Sequence, residues 1–109
     1  MDSTAKIRAL NDALRAIAAG NGRIYVTAGI AALPMQDQVE IMSRVREFSD
    51  FTADNDPSGQ HDFGSFEYGG KKIFWKIDYY DRELEFGSPD PADESVTTRV
   101  LTVLFAEEY

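Results

Sequence analysis

The first apolar residues recur at helical spacing: Ile7, Leu10, Leu14 and Ile17 lie between a capping Ser3 and a terminating Gly20. This predicts an amphipathic helix over residues 4–19. Asn21-Gly22 signals a turn, and Arg23 to Thr27 alternates in a β-rich run, which predicts a short strand ending near Gly29. Pro34 suits the first turn of a second helix running to Phe48. Asp37 and Glu40 complement its positive end, Arg44 and Arg46 its negative end, and Val39, Met42, Val45 and Phe48 form its apolar stripe. Ser49 to Gly59 has turn chemistry without periodicity and reads as a loop.

The hairpin that follows can be assigned in register. Phe63–Tyr68 and Lys71–Tyr80 flank Gly69-Gly70, a two-residue turn. Pairing Tyr68 with Lys71 sets Glu67 against Lys72, Phe66 against Ile73, Ser65 against Phe74 and Gly64 against Trp75. Phe66, Ile73, Trp75 and Ile77 then share one face, which is the core face. Residues 81–88 read as irregular. Asp90-Pro91-Ala92-Asp93 is a helix start, and Val96, Val100, Val103 and Leu104 keep helical spacing. The β-branched run Val96-Thr-Thr-Arg-Val-Leu-Thr-Val103 supports a strand instead. With helix adopted, the order is α-β-α-β-β-α. The expected fold is a single α+β domain over residues 1–109, a small three-stranded antiparallel sheet with a central β-hairpin and about three helices packed on it.

Composition narrows the chemistry. The 109 residues are 43% apolar and include seven Phe, five Tyr and one Trp, enough to build one modest core. With no cysteine, neither a disulfide framework nor a thiolate site is available. The N-terminal residues lack an apolar signal core and no apolar run is long enough to span a bilayer, so a cytoplasmic protein without membrane contact is expected.

The formal charge is −8, which argues against direct binding to nucleic acid. Its distribution is uneven. Residues 47–67 hold six acids and no Lys or Arg; residues 78–94 hold seven acids and only Arg82; the rest of the chain is net positive. If the two segments meet in space, the negative field is concentrated on one part of the surface.

Candidate chemistry is sparse. From Asp54 to Asp62, oxygen side chains at Asp54, Asp56, Ser58 and Asp62, with Gly59 at the sixth position, follow a calcium-loop spacing that could bind calcium or magnesium. Ser65 stands where the bidentate glutamate would be required, which excludes a standard EF-hand, and Asx-turns explain the same residues. His61 is the only histidine, so one chain cannot build a multi-histidine metal site. A dyad of His61 with Asp62 or Asp78 can be drawn, but no serine sits in a recognisable nucleophile setting. Phe74, Tyr79 and Tyr80 beside Lys71, Lys72 and Lys76 imitate a base-stacking strand, against a charge of the wrong sign.

Several stretches together resemble a bacterial family of unknown function numbered 3768. They are Val26-Thr-Ala-Gly-Ile-Ala-Ala-Leu-Pro34, Phe51 to Gly64, Phe74-Trp-Lys-Ile-Asp-Tyr-Tyr-Asp81, Gly87 to Asp93, Arg99-Val-Leu-Thr102 and Ala106-Glu-Glu-Tyr109. The resemblance covers nearly the whole chain. It implies a short, stand-alone protein, often carried on plasmids and other mobile elements, and supplies no catalytic residues.

The function these features favour is a non-enzymatic binding protein. Its acidic surface would engage a protein with a basic, nucleic-acid-binding surface, such as a CRISPR effector or a restriction enzyme, as an anti-defence inhibitor. Asp50, Asp54, Asp56, Asp78, Asp81, Glu83 and Glu85 would carry the charge, with Tyr79, Tyr80 and Phe86 as apolar anchors. Two alternatives stand beside it: a divalent-cation module or hydrolase built on the Asp54–Asp62 loop, and a homo-oligomeric accessory domain. The protein is expected as a monomer or homodimer, with no cofactor beyond a possible calcium or magnesium.

Overall fold

The computed structural model describes residues 2–109. Helix α1 spans Ser3–Ile17; its N-cap is Asp2 rather than Ser3, the Asp2 carboxylate accepting from the Ala5 amide at 2.8 Å. It ends where Ala18 turns left-handed at φ 54° and donates its N–H to the Leu14 carbonyl. The buried face of α1 is Ile7, Asn11, Leu14 and Arg15, so two polar residues point inward while Ile17 is 75% exposed. Strand β1 (Arg23–Val26) leads into a short helix α2 (Ala28–Ala31) that the sequence pattern does not announce. Helix α3 covers Met35–Glu47, with Pro34 just ahead of its first turn. Ile41 and Val45 form its buried stripe, and Val39, placed in that stripe by spacing, faces outward at 58% exposure.

Strands β2 (Phe63–Tyr68) and β3 (Lys71–Tyr80) form the expected hairpin in the expected register, Glu67 opposite Lys72 and Gly64 opposite Trp75. Gly69 and Gly70 take φ 59° and 81°, the positive pair that a two-residue turn needs to match the strand twist. Gly64 has a separate reason. Any Cβ there would overlap the Trp75 indole, which lies across it fully buried.

Two expectations are corrected. The helix expected after Asp90 is absent, the third helix being α2 instead: residues 98–105 form strand β4 (Thr98–Phe105), preceded by a single 3-10 turn at Glu94–Val96 and followed by another at Ala106–Glu108. The three-stranded antiparallel sheet is therefore a four-stranded mixed sheet in the order β1-β4-β3-β2, with β1 parallel to β4 and the other pairs antiparallel. The physical reason is packing. As a strand, the segment pairs Leu101, Val103 and Phe105 with Ile77, Trp75 and Ile73 and buries all six on the helix-facing side. Its β-branched residues suit a central strand, and its apparent helical spacing is a coincidence of Val96, Val100 and Val103. Leu14, Ile30, Ile41 and Val45 close the core from above.

Candidate partner-binding surface

The site grows from one buried polar cluster. Asn11, fully buried on α1, donates Nδ2 to the Gln60 carbonyl at 3.0 Å and to the Tyr79 hydroxyl at 2.7 Å, while its Oδ1 accepts from Arg99 Nε at 2.8 Å. Arg99 sits on the core side of β4, 3% exposed, and its Nη2 donates to the Pro91 carbonyl. The guanidinium lies 5.3 Å from the Tyr79 ring centroid. Tyr79 in turn donates to Gln60 Oε1 at 2.9 Å. Burial pushes the Tyr79 phenol up to about 12 and draws Arg99 below its usual value, so at neutral pH Tyr79 keeps its proton as a donor.

The consequence is topological. Gln60 belongs to the first acid-rich segment and Pro91 to the second, so four side chains fasten both to the same end of the sheet. The first segment is also fixed to β3 one residue before the second begins, the Ile77 amide donating to the Asp62 carbonyl at 2.9 Å. Asp62 is raised above the ordinary carboxyl value by burial first, with the charges of Asp56 and Asp78 adding to it.

The second segment is more ordered than its sequence suggests. Residues 81–88 are irregular, as read, but fold back on the end of β3: Asp81 N–H donates to the Phe86 carbonyl at 2.8 Å, Ser88 N–H to the Tyr79 carbonyl at 3.0 Å, and Tyr80 bridges Gly87. The Asp81 carboxylate accepts from the Glu85 amide at 3.0 Å, and Leu84 takes φ 60° at the bend. Glu83 and Glu85 are exposed at this tip, with Phe86 71% exposed between them and the sheet.

The ten candidate residues separate into two groups. Asp50 and Asp54 on the first acid-rich segment and Glu83, Glu85 and Phe86 on the second are exposed, and Asp81 is half-buried. Asp56 is buried, its Oδ1 accepting from the His61 amide at 3.1 Å and its Oδ2 lying 3.6 Å from His61 Nε2. Asp78 is half-buried and paired with Lys76 at 2.6 Å, Tyr80 is half-buried, and Tyr79 belongs to the interior cluster. Asp56 and Tyr79 are thus engaged with interior partners, while Asp78 and Tyr80 lie on the outer face of the sheet.

The remaining candidates are also scattered. His61 lies stacked on Phe51, ring centroids 3.7 Å apart, with Nδ1 2.8 Å from Asp12 rather than from Asp62 or Asp78. Asp54 and Ser58 are exposed, the Ser58 hydroxyl accepting from the Gln60 amide at 3.3 Å. Among the described residues no group of three or more His, Asp or Glu side chains is arranged to hold a metal ion. The aromatic strand surface is split, because Phe74 and Tyr80 lie on the outer face of the sheet while Tyr79 faces the helices. Among the described residues no helix is long and apolar enough to cross a membrane.

Three residues that organise this end carry no motif: Asn11, Arg15 and Arg99. Arg15 Nη1 donates to the carbonyls of Val45, Arg46 and Phe48 at 2.9, 3.2 and 2.9 Å, capping the end of α3 where the acidic loop departs. The available signal is a polar residue at a position the local period assigns to the core: Asn11 follows Ile7 by four, and Arg99 shares the face of Leu101 and Val103.

Fold and surface together define a mixed-sheet α+β protein, helices on one face, with two acid-rich segments fastened at one end. Residues 26–108 match the family model described as Protein of unknown function (DUF3768), and the chain belongs to that family. No curated protein and no solved structure matches it.

Proposed function

We propose that the protein is a non-enzymatic binding protein that offers its acid-rich end to a partner whose own surface is built to hold nucleic acid. An enzyme of bacterial DNA defence, a CRISPR effector or a restriction enzyme, is the kind of partner that fits, and the protein would act on it as an inhibitor. The observation that supports this reading is the fastening of both acidic segments by Asn11 and Arg99, through Gln60 and Pro91. Asp50, Asp54, Glu83 and Glu85 are exposed on the two segments so fastened, which supports their serving as one charged surface. A cationic groove shaped for phosphates is attracted to carboxylates so arranged, with fast and salt-sensitive association. Leu84 and Phe86 add exposed apolar surface at the centre of that charge.

The test uses wild type and the variant Asp54→Lys, Glu83→Lys, Glu85→Lys, all three positions being exposed. Both are added to DNA-cleavage assays of a panel of CRISPR effectors and restriction enzymes at about 50 and 200 mM salt. The expected result is inhibition of at least one enzyme by wild type, weaker at the higher salt and lost in the variant, with an unchanged thermal melt. Inhibition of none, or equal inhibition by both proteins, overturns the reading.

A further inference from the structure

Strand β1 is one edge of the sheet, and the hydrogen bonds at its end define which of its backbone groups are free. Thr27 N–H donates to the Val103 carbonyl at 3.1 Å, so in this parallel ladder Arg23, Tyr25 and Thr27 turn their amides toward β4. The N–H and C=O of Ile24 and Val26 therefore point outward, and among the described residues no other segment's backbone or side chain pairs with them. The opposite edge is treated differently: there Arg44 Nη1 reaches over β2 to the Glu67 carbonyl at 2.9 Å. β1 is short and carries a charge only at its first residue, Arg23; from Ile24 to Val26 it has no charge, proline or bulge to blunt the edge. Its apolar side chains are also uncovered, Ile24 at 39% and Tyr25 at 50% exposure.

We propose that a second copy of this chain pairs with β1 antiparallel, across a two-fold axis at Tyr25, joining two four-stranded sheets into one of eight strands. In that arrangement both outward-facing residues are used: Ile24 exchanges both its hydrogen bonds with Val26 of the second copy, and Val26 with its Ile24. Tyr25 then meets its own counterpart on the outer face of the sheet, an aromatic cross-strand pair at the closest spacing that antiparallel strands offer.

Charge selects the same register. Arg23 falls opposite Thr27 of the second copy, and in each chain the Thr27 hydroxyl donates to Glu108 Oε1 at 2.6 Å. Glu108 is held below the usual carboxyl value, first by that hydroxyl and then by the Phe105 amide, so it is ionised at neutral pH. Each end of the paired strands thus joins a guanidinium to a carboxylate, and no like charges oppose each other. β1 belongs to neither acid-rich segment, so this interface stands independently of the proposed partner-binding surface.

Two measurements on the full chain decide it. In sedimentation equilibrium between about 5 and 500 µM, wild type should rise from the 12.2 kDa chain mass toward twice that value, and Tyr25→Lys should weaken the association by roughly tenfold or more. In hydrogen exchange of unaltered protein, the Ile24 and Val26 amides should slow as concentration rises, while the Tyr25 amide, bonded to β4, is protected throughout. A single 12.2 kDa species over the whole range overturns the proposal. So does a dimer indifferent to Tyr25→Lys, or one whose Ile24 and Val26 amides exchange equally fast at both concentrations.

Discussion

Asn11 makes three hydrogen bonds in a site with no access to water, and each of its partners depends on it. Replacing it by leucine leaves the Arg99 Nε and the Gln60 carbonyl without their partner, and Arg99 Nη1 is already unpaired. Asn11→Leu should therefore cost about 2–3 kcal/mol in urea unfolding, with faster amide exchange in residues 50–62 and 81–93 together, since one cluster holds both. Gly64 is a steric counterpart: Gly64→Ala drives a methyl into the Trp75 indole and should cost about 1–3 kcal/mol in the same measurement. Asp62 gives a pH signature. Its folded pKa is raised above the ordinary 3.8, so the native state binds its proton more tightly, and its contribution to stability falls as pH rises through and above that value. Asp62→Asn removes this penalty. The variant should melt higher than wild type at pH 7, and the difference should vanish below pH 3.8.

At the scale of elements, legibility follows the range of the forces involved. The β2–β3 hairpin was readable in full because its turn residues and cross-strand pairs are local. The first and last turns of α1 and α3 were readable to within a residue or two for the same reason. What failed was non-local: Val96 to Leu104 satisfies helical spacing and strand propensity alike, and only the vacancy between β1 and β3 decides for β4. The same limit applies to the surface. Asp54 and Glu83 were recognisable as charges at exposed turns, whereas Tyr79 went inward to a partner on a distant segment, Asn11, and Asp56 folded back on His61 within its own loop. The 3-10 turn at 106–108 shows how much a short element can hold. Glu108 accepts from Thr27 Oγ1, the Gly29 amide and the Phe105 amide, tying α2 to β4. Glu108→Ala should lower the melting temperature by about 4–8 °C if the lost cap is worth roughly 1 kcal/mol.

For the whole molecule, the two proposed contacts differ in their response to salt, which separates them in one titration. Capture of a cationic partner by the acid-rich end weakens as ionic strength rises. Pairing of two chains that each carry −8 proceeds against mutual repulsion, so added salt should leave the β1 dimer unchanged or strengthen it. Sedimentation at about 50 and 300 mM salt checks this; a dimer that dissociates with salt would instead have to be held by charge. The sheet order carries a further consequence for how the chain comes into being. β4 is the last strand in sequence and lies between the first and the third, so β1 has no neighbour to pair with until residues 98–105 have left the ribosome. A chain interrupted before Arg99 lacks both the middle of its sheet and the side chain that gathers the acidic loops. The sheet and the fastening of the two acid-rich segments are thus completed together, by the last strand to be synthesised.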